Sequence, residues 1–314
     1  MRSFLGAALM VLALAGPDPA RAAEGTQKIR IAFPSPAFSY LPFYVAQEKG
    51  LLKKIGLEAE YIQMRTTIQP QATLNGEIDF FPSVSTGISA AVSGLPLVVV
   101  LNLYDGSPWI LVAAKEVNKA QDFVGKKIAI SGIRTSPHYF AVAGFKKLGL
   151  DEKDVGFIST GGTASSFAAL ASGQVAGAVL TPPFDDKAVS LGYKKFLFLG
   201  DLVDIPYVGL VAAQPELKSR SERVRKTIAA LLEAVAWLRA NREATVKMIA
   251  EKFIVNQQEA ERTYRTLIGL FSKDNRLSPK VARGYLEILR RDRPVPPDLD
   301  PQKFLDFSLL PPGK

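Results

Sequence analysis

The 314-residue sequence contains no cysteine and a single histidine. Without cysteine there are no disulfides, no thiolate metal sites, no cysteine nucleophile and no lipidated cysteine to tether an exported chain to a membrane. The one histidine, His138, assembles no Ser-His-Asp arrangement, and no His/Asp/Glu cluster shows metal-ligand spacing. Gly161-Gly162 lacks the glycine spacing and the lysine of a phosphate loop. The sequence therefore calls for no catalytic residue, no metal and no cofactor. Beyond the first fifteen residues no apolar run approaches the twenty needed to span a bilayer, which predicts a soluble mature protein.

What is present begins with a targeting segment. Arg2 supplies a positive end, Phe4 to Ala15 an apolar stretch too short for a membrane span, and Ala20-Arg21-Ala22 a small-x-small cleavage site. Residues 1–22 are expected to be a signal peptide, and the absence of an acylated cysteine then predicts free diffusion in a periplasm. The formal charge of +9 becomes +8 on loss of Arg2, Arg21 and Asp18 (9 − 2 + 1). Much of the excess lies in the C-terminal third (Lys218, Arg220, Arg223, Arg225, Lys226, Arg290, Arg291, Arg293), where it reads as a solvated basic face. Nucleic acid is not an expected partner: the basic residues lack interleaved base-reading elements, and an exported chain meets little nucleic acid.

Apolar strand candidates alternate with helical patterns from residue 28 to 200, which predicts parallel α/β architecture. Four strands (29–33, 59–64, 78–81, 97–103) are followed by four more (127–131, 155–159, 176–180, 195–199). The spacing from Ile29 to Ile78 equals that from Ile128 to Gly177, so two similar lobes are expected. Two further apolar strands, Trp109 to Ala114 and Tyr207 to Ala213, read as crossings between them. Lobe 1 is then residues 23–114 plus 207–314, and lobe 2 is an insertion, 115–206. From Glu216 onward Val224, Ile228, Leu231, Val235 and Leu238, and then Val246, Ile249 and Phe253, recur at helical spacing and predict helices packed on lobe 1. The Pro-rich end reads as a tail with one docking turn at 302–307.

The runs YLPFYVAQEKGLLKKIGLE (40–58), LNGEIDFFPS (74–83), and GKKIAIS with TSPHYF (125–140) resemble periplasmic binding proteins of ABC importers in the nitrate/sulfonate/taurine group, which also includes relatives of thiamine-pyrimidine binding proteins. The resemblance extends over nearly the whole mature chain and is most specific at 43–57. It implies a bilobed type II periplasmic binding protein fold, two parallel-sheet lobes joined by two hinge crossings, that closes on a small molecule. It also implies a monomer whose partners are that ligand and an ABC importer permease in the inner membrane. Two alternatives stay open: a periplasmic enzyme on the same fold, dehydratase or thiamine-pyrimidine related, and a ligand-sensing partner of a membrane receptor.

Ligands of open α/β sheets bind beyond the strand C-termini. After the first strand stand Ser35, Phe38 and Tyr40, and the loop Ser35 to Tyr40 is the first choice for ligand contact. After the third strand come Ser83, Ser85 and Thr86, whose hydroxyls and free N–H groups at a helix N-terminus suit an anionic oxygen. The lobe 2 counterpart offers Ser131, Arg134, Thr135, Ser136 and His138 before a helix opened by Pro137. Arg134 suits a carboxylate or sulfonate in a bidentate pair, and His138 matches a histidine of sulfonate-binding relatives. Thr160, Gly161 and Thr181 follow later strands, and Tyr207 lies near the hinge with Trp109, where an aromatic ring suits a planar ligand. Thr181 stands where the resembled family often has an acidic residue, which argues against a ligand amine there.

Overall fold

The computed structural model describes residues 26–311, so the expected signal peptide lies outside the described residues. The first five-element run is β1 (Gln27–Phe33), α1 (Leu41–Glu48), β2 (Leu57–Gln63), α2 (Gln69–Leu74) and β3 (Phe81–Ser83). It continues through α3 (Val84–Val92), β4 (Leu97–Asn102) and β5 (Ile110–Ala113). Then come β6 (Lys127–Ile130), α4 (Ser136–Lys147), β7 (Gly156–Ser159), α5 (Thr163–Ala171), β8 (Gly177–Leu180), α6 (Phe184–Ser190) and β9 (Lys194–Phe198). β10 (Val208–Ala213) leads into α7 (Glu216–Ser219), α8 (Ser221–Ala240), α9 (Arg242–Phe253), α10 (Gln257–Leu270) and α11 (Pro279–Leu289).

These strands form two layers with one connectivity. β1 pairs in parallel with β2, and β10 lies between β3 and β4. Backbone bonds from Ala32 N to Phe80 O (3.1 Å) and from Asp79 N to Arg30 O (2.8 Å) join the two groups, giving the order β2-β1-β3-β10-β4. The second sheet runs β7-β6-β8-β5-β9. Position by position the two orders correspond, with the crossing strand fourth in each. The repeat read from sequence is a strand register: Ile31 bridges Phe80, and Ile128 faces Gly177, both 49 residues apart.

Two expectations are corrected here. The sheets are mixed rather than parallel, because β10 and β5 run antiparallel to both their neighbours. And the strand expected to end lobe 1, at 114, pairs with β8 and β9, so residues 110–113 belong to the second sheet. A chain that crosses the seam enters the next sheet at the strand C-termini and runs away from them, so it lies antiparallel to neighbours that run toward the seam.

Sequence chemistry explains the elements. All six residues of β4 and of β10 are buried, as expected for strands covered on both faces. Pro42 and Pro137 sit in the first turns of α1 and α4, where no backbone N–H is required. In α8, Val224, Ile228, Leu231, Val235 and Leu238 are buried along one stripe against lobe 1. That helix is also fixed by charge: buried Arg223 reaches Asp79 Oδ1 at 2.9 Å and Glu216, while Asp79 Oδ2 accepts the Arg30 N–H at 2.6 Å. Removing one member of such a buried set typically costs about 3–5 kcal/mol. The tail is more integrated than expected, since Leu305 bridges Val99 and the Asp306 N–H donates to the Val99 carbonyl at 2.9 Å, covering the edge of β4.

Candidate functional site

The two sheets present their strand C-termini to each other across a narrow seam, and the lobes touch there. Ser85, in the first turn of α3, and Ser136, the first residue of α4, lie with their hydroxyl oxygens 2.5 Å apart. One belongs to each lobe. Gly162 approaches the Pro34-Ser35 backbone closely enough that a β-carbon would lie 3.1 Å from the Pro34 carbonyl oxygen. Gly161, at φ +90°, packs under Arg65, and Gly132 faces Thr67. Each glycine lets a lobe 2 loop come within contact distance of lobe 1 backbone or side chain.

Beside these contacts, at the seam, lies a cavity of about 50 Å³. Lobe 1 contributes Pro34, Tyr40, Thr66 and Ser83; lobe 2 contributes Ser131, Thr135, Ser136 and Pro137; the crossings contribute Trp109, Tyr207 and Val208. No carboxylate, lysine, arginine or histidine lines it. Burial pushes the Tyr40 hydroxyl well above its usual pKa, with Tyr207 and Tyr44 adding to the effect. Burial also carries Tyr207 up to about 12, with the Ser39 and Thr181 side chains holding it back. Both phenols are neutral at physiological pH and offer hydrogen-bonding groups without charge.

The positive potential comes from backbone. α3 and α4, nine and twelve residues long, start at the cavity from opposite lobes. Their N-cap residues, Ser83 and Thr135, make no side-chain cap bond to the helix. Instead Ser83 Oγ bonds Thr86 Oγ1 at 2.9 Å and Thr135 Oγ1 donates to the Gly132 carbonyl at 2.6 Å. The first-turn N–H groups of a helix have no intrahelical acceptor and carry the positive end of its dipole. Two such ends meeting at one cavity favour an anionic group over a cation.

The sequence-derived candidates divide accordingly. Tyr40, Ser83, Ser131, Thr135, Ser136 and Tyr207 line the cavity, and Ser85 bonds the last of its serines. Thr86 stands one bond away, on Ser83, and Thr181 lies beside the Tyr207 hydroxyl. Ser35 is buried under Gly162 and lines a separate lobe 1 pocket of about 190 Å³ with Phe33, Tyr44 and Tyr61. Phe38 is core, its ring 4.1 Å from that of Phe253. Thr160 spends its hydroxyl on Ser166 Oγ (2.7 Å) and the Ile130 carbonyl (3.0 Å), stapling the loop that carries Gly161.

Arg134 and His138 are not brought to the cavity. Arg134 is exposed, with φ at 59°. His138 is buried on the far side of α4, its Nε2 3.2 Å from Glu152 Oε1 and its ring edge-on to Phe157 at 4.8 Å. Its Nδ1 accepts the Arg134 N–H at 3.4 Å, so the pair sets the loop's shape. Helix phase decides this: Ser136 and Pro137 face the seam and the next residue turns inward. Burial holds the imidazole pKa below 6.5 although Glu152 pulls upward; desolvation outweighs an acid that is itself half exposed. Pro34, Thr66 and Val208 were not anticipated as lining. Thr66 follows β2, and carrying the strand C-terminus rule to that strand as well would have found it.

Among the described residues no helix is long and apolar enough to cross a membrane, and no group of three or more His, Cys, Asp or Glu side chains is placed to hold a metal. The alkanesulfonate-binding protein SsuA of Xanthomonas axonopodis pv. citri, solved with MOPS, matches this structure with a TM-score of 0.73 at 18% identity, over 90% of this chain and 99% of that one. The ligand-binding component of an ABC-type import system from Staphylococcus aureus, solved with zinc, matches at 0.72 and 16%, over 90% and 97%. The periplasmic aliphatic sulphonate binding protein SsuA of Escherichia coli matches at 0.66 and 18%, over 88% and 97%. The architecture is that of the periplasmic binding protein fold. A profile of the NMT1/THI5 like family matches residues 37–245, more than half of the sequence, and the chain belongs to that family. No curated protein sequence matches it.

Proposed function

We propose that this protein is a soluble, periplasmic solute-binding component of an ABC importer. It captures a small organic anion, a sulfonate, a carboxylate or a related acid, between its two lobes and presents it to an inner-membrane permease. The observation that carries this reading is the convergence of the α3 and α4 N-termini, one from each lobe, on a cavity lined by neutral hydroxyls. An anion there is stabilised by both helix ends at once, so it favours the closed arrangement over the open one; differential affinity is what drives closure. Membership of the NMT1/THI5 like family and likeness to sulfonate-binding proteins support the same reading.

A binding role is also preferred to catalysis because the chain's one imidazole faces Glu152 and Phe157, away from the cavity. A thermal-shift screen over alkyl and aryl sulfonates, carboxylates, nitrate and pyrimidines tests the proposal. A ligand specific to the folded state raises the melting temperature, by about 2.7 kcal/mol of added stability at a hundred times its Kd. At least one acid is expected to do so; a panel with no shift, and no heat in calorimetry, overturns it.

A further inference from the structure

We infer that the indole N–H of Trp109 is the specificity-determining donor of the cavity, selecting ligands that place a hydrogen-bond acceptor, and not an amine, at the hinge side of the site. The inference rests on the proposed binding role and deepens it. Trp109 is 7% exposed, lines the cavity, and stands edge-on to Tyr207 with ring centroids 5.8 Å apart. Its Nε1 is buried and has no hydrogen-bond partner among the described residues.

The other polar groups of the lining are mostly committed elsewhere. Ser83 is bound to Thr86, Thr135 to the Gly132 carbonyl and Ser136 to Ser85, while the Tyr207 hydroxyl faces Ser39 and Thr181. A hydroxyl can donate or accept and so tolerates either kind of ligand atom, whereas an indole nitrogen only donates. A buried donor left unmet carries a desolvation penalty, and a ligand acceptor removes it. An ammonium at the same place would set donor against donor, with no carboxylate in the lining to compensate. Asp185, the buried acid whose charge is felt by Tyr207, is held by Lys195 at 2.6 Å. The ligand end beside Trp109 is therefore an oxyanion, or a carbonyl-like oxygen, carrying no amino group.

Nuclear magnetic resonance on 15N-labelled protein tests this directly, because the chain has only two tryptophans and Trp237 lies in α8, outside the cavity. The probes are methanesulfonate, benzenesulfonate, acetate, nitrate and methylamine, with binding followed in parallel by calorimetry. The Trp109 Nε1–H resonance is expected to move downfield on saturation with an oxyanion probe while that of Trp237 stays in place, and methylamine is expected not to bind. Trp109→Phe keeps the ring and deletes the donor; it should bind that oxyanion roughly ten- to a hundredfold more weakly with an unchanged melting temperature when empty. Should that variant melt lower, the resonance shift in the unmodified protein still decides. An oxyanion that binds without moving the Trp109 signal, or preferential binding of methylamine, overturns the inference and leaves the binding role standing. A panel with no binder at all overturns both.

Discussion

The two lobes share a strand order but differ in how they are finished. Lobe 1 is backed by α8, α9, α10 and α11, and buried aromatic rings cluster from the end of β1 into α1: Phe33 lies 4.7 Å from Tyr40 and 5.2 Å from Phe43, centroid to centroid. Lobe 2 has no such backing. Its loops after β6 and β7 carry Gly132, Gly161 and Gly162 and an arginine held in the left-handed region, a conformation that costs about 1–3 kcal/mol outside glycine. Duplicated topology has thus produced a helix-backed, aromatic-rich platform and a close-fitting cap. The difference teaches how the seam is divided: the platform and crossings hold the aromatic groups, and the cap brings a second helix N-terminus to them.

The comparison breaks most severely if the cap cannot seat. Gly162→Val puts branched carbons against the Pro34 carbonyl and Ser35, and overpacking of this kind costs about 1–3 kcal/mol. Affinity for the tightest-binding acid of the screen should fall roughly ten- to a hundredfold by calorimetry, while the empty protein's melting temperature stays put, because the clash exists only between lobes. Equal losses in both would mean that the loop is part of the lobe's own fold.

A smaller effect is expected from the Ser85–Ser136 hydroxyl contact between platform and cap. Ser85→Ala, Ser136→Ala and the double variant form a cycle whose coupling in ligand affinity should be about 1 kcal/mol, the usual net worth of a neutral hydrogen bond. Additive losses would show that the lobes do not meet there when ligand is bound.

The smallest effect sharpens the description of the cap. His138 is neutral when folded because burial lowers its pKa, so protonation favours the unfolded chain. Its contribution is fully present above pH 6.5, the unfolded value, and is lost as pH falls below it. Melting temperatures taken between about pH 7.5 and 5 should decline more steeply in the unmodified protein than in His138→Gln. Identical slopes would remove His138 from the account of the cap's stability.

Much of this fold is legible in the sequence because it was written twice. The 49-residue spacing is a register, fixed by the length of a strand, a connection, a second strand and a helix, and apolar runs at that spacing mark the pairing directly. Strand direction is not legible in the same way. The Ile110–Ala113 run is as apolar as β8, and only long-range pairing with β8 and β9 shows that it runs against both. At the seam, the residues just before a helix that line the cavity, Ser83 and Thr135, carry a capping signal that is local and so readable from sequence. Arg134 and His138 lie outside the cavity lining, because exposure and helix phase depend on packing with Glu152 and Phe157, far along the chain or on another strand. Ser35, the first residue of the favoured loop, sits under Gly162 for the same reason: the contact is made by the other lobe.

The central claim is that ligand joins platform and cap across the α3 and α4 N-termini. Small-angle X-ray scattering of the protein, empty and then saturated with the tightest-binding acid, measures it most directly. The account predicts a smaller radius of gyration on saturation, and no such change in Gly162→Val at saturating acid. Full saturation with an unchanged radius of gyration in the unmodified protein, taken together with unchanged affinity in Gly162→Val, would contradict it.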